Sequence, residues 1–256
     1  MSPREIAIAA VTAIFIDFSP EAATTLLNTD YIQHNPGVPT GAAPIIGFIP
    51  GLQQSGIKVT THRTIAEGDF VVFHNTYENA HAFGAPTLVG FDVFRVADGK
   101  VAEHWDNLQA PGEPNASGRT LTDGPTEVTD LDKTAQNKAL VEAFAEAVLV
   151  GGDGARIAEF ISTTTYHQHN PMIGDGLDSL GQAFAALAAS GNGISYSKVH
   201  KIVAEGNFVF LMAEGKMGET PTAFFDLFRV ENGKIVEHWD VISSIPAEMA
   251  HSNGKF

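Results

Sequence analysis

Residues 91–106 read FDVFRVADGKVAEHWD, and residues 225–240 repeat them as FDLFRVENGKIVEHWD. The two stretches are identical at 11 of their 16 aligned positions. In each copy an apolar run is followed by Asp-Gly or Asn-Gly, and then by a second run that ends in Glu-His-Trp-Asp. Because Asp-Gly and Asn-Gly supply the positive φ angles of tight turns, each copy predicts a β-hairpin.

Two further blocks repeat in the same order. Residues 31–36 (YIQHNP) recur as residues 166–171 (YHQHNP), and residues 62–70 (HRTIAEGDF) recur as residues 200–208 (HKIVAEGNF). The three blocks are offset by 135, 138 and 134 residues, which is the size of a whole domain rather than of a solenoid repeat. The chain is therefore predicted to contain two copies of one domain.

The boundary between the copies has a distinct composition. Residues 111–130 (PGEPNASGRTLTDGPTEVTD) are rich in Pro, Gly, Ser, Thr and Asp and lack apolar periodicity. This composition is typical of a linker. We divide the chain into a first domain at 1–112, a linker at 113–131 and a second domain at 132–256.

Each half begins with helix-type periodicity and ends with strand-type patterns. Helices are expected near 4–18, 20–28, 41–54, 132–150, 155–163 and 176–190. Strands are expected near 57–66, 69–79, 87–97, 100–109, 195–204, 207–216, 221–231 and 234–243. Helices followed by an antiparallel meander predict an α+β fold in each half.

The strand at residues 91–96 (FDVFRV) carries apolar residues on both faces. A sheet with one solvated face alternates cleanly, so this sheet is expected to be covered on both sides. The helices can cover one face, and the sheet of the other half can cover the second. The chain would then be an intramolecular pseudo-dimer through its sheets, and further homo-oligomerisation stays open.

Composition excludes several classes of function. The chain is 44% hydrophobic and 18% charged, which suits a globular core, and its formal net charge of −15 argues against a nucleic-acid partner. The absence of cysteine excludes disulfides and thiolate catalysis. No basic segment precedes an apolar stretch and no apolar run approaches the ~20 residues that span a bilayer, so no membrane partner and a cytoplasmic location are expected.

Three N-terminal helices, the Y-x-Q-H-N-P block and the hairpin F-D-x-F-R-V-x-x-G-K-x-x-E-H-W-D resemble the SnoaL-like branch of the NTF2-like superfamily. The resemblance covers nearly all of both halves and omits the linker. It implies two tandem cone domains, in which a curved sheet wraps around helices and encloses a pocket. Members cyclise polyketides by aldol condensation, isomerise ketosteroids, dehydrate, hydrolyse epoxides or bind ligands, so the fold alone leaves the reaction open.

The final hairpin supplies the main candidate residues. Residues two apart on a strand share a face, so His104 and Asp106 point the same way, and Asp92 lies within cross-strand reach. Chemistry α to a carbonyl needs a base for the proton and a donor for the enolate oxygen. The resemblance to the family's cyclases implies this work for Asp106 with His104, assisted by Asp92. The counterparts in the second half are Asp240, His238 and Asp226. The alternative is a buried hydrogen-bonded group that only closes the cone.

The Gln-His-Asn-Pro block supplies a second set of candidates. His34 and His169 are expected at the pocket mouth as general acids or substrate-oxygen donors, with Asn35 and Asn170 as substrate contacts. The alternative is an Asn-Pro turn with a His that caps a helix end.

The two halves differ on one strand. His74 aligns with Met212, so the first pocket is expected to be more polar than the second if these residues face inward. Both are therefore candidate substrate contacts, and drift on an outer face is the alternative.

No cofactor is predicted. The pair His167 and His169 has metal-ligand spacing, but Ile32 stands opposite His167 in the repeat, so no metal is assigned. Dinucleotide, P-loop, serine-hydrolase and zinc-protease motifs are absent. The sequence predicts a cofactor-independent acid–base enzyme for a small to medium apolar or polyketide-like carbonyl compound, acting by aldol cyclisation, isomerisation or dehydration. The rivals are a non-catalytic small-molecule-binding protein and an assembly module with a filled cone.

Overall fold

The computed structural model describes residues 1–256 as two compact units. The first unit comprises residues 1–110 and 246–256, and the second comprises residues 111–245. Each unit contains one five-stranded sheet together with helices. The predicted tandem α+β organisation is confirmed.

The first unit begins with helices and continues into the sheet. Its elements are α1 (Pro3–Phe15), α2 (Pro20–Leu26), β1 (Leu27–Gln33), α3 (Ala42–Ser55), β2 (Lys58–Glu67), β3 (Phe70–Glu78), β4 (Thr87–Ala97) and β5 (Lys100–Gln109). Helix α1 begins with a capping box, because the Ser2 hydroxyl accepts from the Glu5 amide while the Glu5 carboxylate accepts from the Ser2 amide. Helix α3 ends at Gly56, whose φ of 66° suits a left-handed cap.

The strands of this sheet are ordered β1-β5-β4-β3-β2. The four later strands form the predicted antiparallel meander, and Asp98 and Gly99 take positive φ angles in the turn between β4 and β5. Strand β1 was not predicted. It runs parallel to β5 at the edge of the sheet, and its exposed Thr29 and Asp30 hide the alternation by which strands are recognised.

The second unit repeats this plan. Its elements are α4 (Thr134–Phe144), a π-helical continuation (Ala145–Val150), α5 (Ile157–Phe160), β6 (His167–Gln168), α6 (Gly176–Ala189), β7 (Ile194–Glu205), β8 (Phe208–Met217), β9 (Thr220–Glu231) and β10 (Lys234–Ser244). The strand order is β6-β10-β9-β8-β7, with β6 parallel to β10. The π-helical continuation of α4 ends before Gly151, where a Cβ atom would lie 2.6 Å from the Glu146 carbonyl oxygen.

The helices pack on one face of each sheet. In the first unit Ile6 and Ala10 of α1 join a buried cluster with Val71, Phe73 and Phe94 of the sheet. In the second unit Val141 and Phe144 of α4 pack with Val209, Leu211 and Phe228. This burial drives folding, and it leaves the polar residues of the same sheet face to line a cavity.

Two polar segments are ordered rather than free. Residues 111–130, the stretch that reads as a linker, belong to the second unit, where the Asn115 amide donates to the carbonyl oxygens of Gln168 (2.6 Å) and Ile173 (2.8 Å). Residues 246–256 belong to the first unit, where the Asn253 amide donates to the Gln33 carbonyl oxygen at 2.9 Å. We call residues 246–256 the first strap and residues 111–130 the second strap. Polar side chains that suggest a linker are used here to satisfy backbone carbonyl groups.

No helix of the chain combines the length and the apolar character that a membrane crossing requires.

Candidate functional site

A cavity of about 90 Å³ lies in the first unit between the helices and the sheet. One water molecule needs about 10–15 Å³, so the cavity has room for a small organic ligand. Its apolar wall includes Phe15, Phe48, Phe83, Phe94 and Leu108. Its polar lining residues are Tyr31, Gln33, Asn35, Tyr77, Asp92, His104 and Asp106.

The second unit holds a cavity of about 70 Å³ with the same chemistry. Its apolar wall includes Phe144, Leu149, Ile157, Phe184 and Ile242. Its polar lining residues are Tyr166, Gln168, Asn170, Tyr196, Asp226, His238 and Asp240. The structure thus brings the predicted hairpin residues and both asparagines to one cavity in each unit.

The hairpin register explains how the polar residues meet. Asp92 of β4 pairs directly with Asp106 of β5, and His104 lies two residues before Asp106 on the same face. Strand β1 adds Gln33, which pairs with His104. Three neighbouring strands therefore present their polar side chains at one place on the cavity wall.

The proton positions around His104 follow from its neighbours. The Gln33 Oε1 atom accepts from the backbone amides of His34 and Asn35, both at 2.9 Å, which fixes it as an acceptor. The His104 Nδ1 atom lies 2.9 Å from this oxygen and must therefore carry a proton. The His104 Nε2 atom faces the Asp92 Oδ1 atom at 3.1 Å, so the imidazole and this carboxyl group share a proton.

Asp106 is held by the predicted Asn-Pro turn. The Asn35 Oδ1 atom accepts from the Gly37 amide at 2.8 Å, so the Asn35 Nδ2 group is the one that points at Asp106, where it donates at 2.5 Å. Asn35 therefore forms the turn with one end of its side-chain amide and contacts the cavity residue Asp106 with the other.

The second cavity has the same contacts with resolved pKa shifts. The Asn170 amide donates to both Asp240 oxygens at 2.9 Å, and the His238 Nε2 atom lies 2.9 Å from the Asp226 Oδ1 atom. Burial, reinforced by the charge of Asp226, raises the pKa of Asp240 to about 6. Burial acts to lower the pKa of His238, but the hydrogen bond to Asp226 and the two nearby carboxylates raise it overall.

Two tyrosines complete the sites and were missed by the sequence analysis. The Tyr77 hydroxyl of β3 donates to the Asp92 Oδ2 atom at 2.5 Å, and the Tyr196 hydroxyl of β7 donates to Asp226 at 3.2 Å. Tyr196 pairs with Gly215, the residue of β8 that corresponds to Tyr77. The two phenols thus reach equivalent carboxylates from different strands, and an alignment of the repeats cannot match them.

The structure corrects the expectation for His34. Side chains alternate along the chain here, so Gln33 and Asn35 face the cavity while His34 points to the opposite side. There its ring stacks on Trp105 with centroids 4.8 Å apart, and its Nε2 atom lies 3.0 Å from Glu103. This position excludes direct contact with a ligand in the cavity.

The expectation for His169 is corrected in the same way. Its ring stacks on Trp239 at 4.5 Å, while its two nitrogens contact Glu237 at 2.9 Å and the Thr120 carbonyl oxygen at 2.8 Å. Burial alone would raise the pKa of Glu237, but hydrogen bonds from His169 and Arg229 lower it. His169 therefore links the second strap to the outer face of the sheet, which is the face opposite the cavity.

Replacement of His169 by alanine is expected to lower the free energy of unfolding of the second unit by about 3 kcal/mol, because it leaves buried polar partners unsatisfied. Urea titration followed by circular dichroism would measure this loss. His34→Ala is the matched variant in the first unit. Unchanged stability of the His169 variant would contradict the assigned role of this residue.

His74 and Met212 are also placed on the outer face. They pair with Phe91 and Phe225, the neighbours of the cavity residues Asp92 and Asp226, so their side chains point away from the cavity. His74 stacks on Phe91 at 4.3 Å. The predicted difference in polarity between the two units is found at the next residue of the strand instead.

That contrast is between Asn75 and Ala213. The Asn75 amide donates to the Asp92 Oδ2 atom at 2.8 Å, whereas the aligned position in the second unit is the apolar Ala213. The first cavity therefore has one additional donor on its central carboxylate.

The three groups Asp92, His104 and Asp106 have ligand atoms within 4.8 Å of one another, as do their counterparts in the second unit. A cation could be held at this separation. However, His104 and Asp92 are hydrogen-bonded to each other and Asp106 is bonded to Asn35. These hydrogen bonds account for the arrangement, and we assign no metal to it.

The sequence was compared with families of known proteins. A sequence profile described as SnoaL-like domain matches residues 8–104 and 141–238. No curated protein matches the chain.

Three similar solved structures each cover less than half of this chain. IdmH from Streptomyces antibioticus, described as a candidate polyketide cyclase, is 19% identical over 43% of this chain and 93% of its own, with a TM-score of 0.36. A candidate ketosteroid isomerase from Kribbella flavida is 23% identical over 44% and 81% of the two chains, with a TM-score of 0.37. An NTF2-like protein from Cytophaga hutchinsonii is 14% identical over 43% and 91%, with a TM-score of 0.36.

Proposed function

Since the chain belongs to the SnoaL-like domain family, with one such domain in each half, we propose that it is an acid–base enzyme that needs no cofactor and acts on a small to medium apolar carbonyl compound. The observation that carries this proposal is the repetition of one polar group in both cavities. In each, two aspartates and a histidine lie together on an otherwise largely apolar wall.

This arrangement supports chemistry next to a carbonyl group. Asp106 accepts the proton from the α carbon, and the electron pair of that C–H bond passes to the carbonyl oxygen as an enolate. The proton that otherwise lies between His104 and Asp92 turns to this oxygen and stabilises it by a hydrogen bond. Return of the proton to another carbon gives isomerisation. Attack of the enolate carbon on a second carbonyl group, whose oxygen then takes the proton, gives aldol cyclisation. Loss of a β-hydroxyl group together with that proton, as water, gives dehydration.

The second cavity is suited to the same steps. The pKa of Asp240, raised to about 6 by burial and by Asp226, leaves this carboxylate ionised at neutral pH and basic enough to take a proton. The proton that lies between His238 and Asp226 is then the donor to the enolate oxygen.

Exchange of α protons tests the proposal before the substrate is known. Apolar cyclic ketones are incubated with the protein in D₂O, and loss of the α-proton signal is followed by NMR. We expect exchange above the buffer rate with the wild-type protein and none above it with the double variant Asp106→Asn, Asp240→Asn. Absence of wild-type exchange across ketones that demonstrably bind would refute the enzymatic proposal.

The second candidate function is a small-molecule-binding protein without turnover. It is favoured by the saturation of Asp92, whose oxygens already contact Tyr77, Asn75 and His104. Binding of ketones without exchange, at an affinity that the double variant retains, would support this function.

Two further expectations stay proposals. We propose that the two sheets pair within the chain, because the strand at residues 91–96 is apolar on both faces, and that the protein is cytoplasmic. Cross-linking between cysteines introduced on the two sheets would test the first, and cell fractionation the second.

A further inference from the structure

Each strap delivers one buried side chain from the same position. In the first strap the Gly254 carbonyl oxygen meets the His34 Nδ1 atom at 2.9 Å, and the next residue is Lys255. In the second strap the Thr120 carbonyl oxygen meets the His169 Nδ1 atom at 2.8 Å, and the next residue is Leu121. Lys255 is 6% exposed and Leu121 is 1% exposed. After the carbonyl group that contacts the histidine, the first strap therefore has a buried lysine and the second strap a buried leucine.

Lys255 contacts the residue that we propose as the base of the first cavity. Its Nζ atom donates to the Asp106 carbonyl oxygen at 2.6 Å and lies 3.7 Å from the Asp106 Oδ1 atom. An ammonium group that is removed from water needs such a partner, because its desolvation costs several kcal/mol. The burial of Lys255 is thus explained by Asp106.

The other groups around Asp106 do not provide a fixed cation. Asp92 lies opposite on β4, and His104 shares its proton with Asp92. Burial, with a contribution from the charge of Asp106, raises the pKa of the Tyr31 and Tyr77 hydroxyl groups, so neither carries a positive charge. The Asn35 amide is also neutral. The cationic side chain beside Asp106 is therefore that of Lys255.

We propose that Lys255 is a positioning residue that holds Asp106 as a carboxylate, and that the two cavities consequently transfer protons over different pH ranges. An opposite charge within about 4–6 Å favours the ionised form of a carboxyl group. The first part of the proposal stands on the contact itself, and the second part rests on the proposed acid–base function.

The second cavity supplies the contrast. Leu121 brings no charge, and burial together with Asp226 raises the pKa of Asp240 to about 6. Burial lowers the pKa of Lys255, and the attraction of Asp106 offsets part of that effect, as expected for a paired ammonium group.

A reciprocal exchange of the two strap residues tests the proposal on the full chain. The protein is labelled with aspartate carrying ¹³C at the carboxyl carbon, and each carboxyl is titrated by NMR. Loss of one signal in Asp106→Asn and of one in Asp240→Asn assigns the two sites. Lys255→Leu is expected to raise the titration midpoint of Asp106 by about one pH unit or more, and Leu121→Lys to lower that of Asp240 by a similar amount.

An unchanged Asp106 midpoint in Lys255→Leu would overturn the proposal and leave Lys255 with a packing role. If that variant does not fold, Lys255→Gln removes the charge and keeps hydrogen-bonding capacity, and the same criterion applies to it. The titration is independent of turnover. Shifted midpoints without ketone exchange would leave the role of Lys255 intact and reject the enzymatic function, whereas exchange with unchanged midpoints would do the reverse.

Discussion

Asp240→Asn is expected to raise the free energy of unfolding of the second unit by about 3 kcal/mol at pH 8, and to slow ketone exchange in that cavity about 10²–10⁴-fold. The ordinary pKa of an aspartate, 3.8, is raised to about 6 at Asp240. Each pKa unit corresponds to about 1.4 kcal/mol, so ionising this buried carboxyl group at pH 8 costs the folded state about 3 kcal/mol. Asparagine keeps the shape of the side chain and removes the charge.

The sign of this effect depends on pH. The folded chain binds the Asp240 proton more tightly than the unfolded chain does. The stability that this protonation contributes is therefore complete below pH 3.8, and it is lost as the pH rises through about 6. The gain in Asp240→Asn should therefore be large at pH 8 and small at pH 4. Urea unfolding at both pH values measures it, with Trp239 as the reporter in a Trp105→Phe background.

Asp106→Asn is the matched control. Lys255 lies 3.7 Å from the Asp106 carboxylate, so removal of the charge leaves a buried ammonium group without its ionic partner. We expect no gain in stability at pH 8 from this variant. A gain equal to that of Asp240→Asn would show that the two carboxyl groups have the same environment.

Gly215→Ala is expected to lower the free energy of unfolding of the second unit by about 3 kcal/mol. A Cβ atom at Gly215 would lie 1.9 Å from the Ser195 carbonyl oxygen and 2.9 Å from the Tyr196 Cα atom. These are backbone atoms of β7 next to an irregularity in its pairing with β8, so the strands must separate to admit a methyl group. The Tyr196 hydroxyl would then move away from Asp226.

Gly181→Ala is the control for this substitution. Gly181 lies within α6, and a Cβ atom there meets nothing within 4 Å. Alanine should stabilise the helix by about 1 kcal/mol, because it loses less conformational entropy on folding than glycine. Thermal unfolding of both variants compares them directly. Wild-type stability of Gly215→Ala would contradict the close approach of β7 and β8.

The hairpins could be predicted because their signals are local. Asp98 and Gly99 determine the turn, and the apolar alternation on either side determines the strands. That turn also places Asp92 opposite Asp106, which is why these cavity residues follow from the sequence. The facing direction of His34 does not follow, because it depends on the pairing of an edge strand that the sequence does not reveal.

The tyrosines and the straps depend on distant contacts. Tyr196 reaches its carboxylate only because Gly215 allows the neighbouring backbone to approach, which no local pattern encodes. The contact between Lys255 and Asp106 joins residues 149 positions apart. A polar segment with no periodicity gives no indication of the surface on which it will be ordered.

The first unit includes residues 246–256, which follow the second unit in the chain, and this arrangement affects the order of folding during synthesis. Residues 111–245 leave the ribosome as one uninterrupted stretch, so the second unit can fold before residues 246–256 have been added. The first unit starts earlier but waits for residues 246–256, which bring Lys255 to Asp106. The half that is translated first is therefore the half that is completed later, and Lys255 reaches its cavity only after residues 246–256 have emerged.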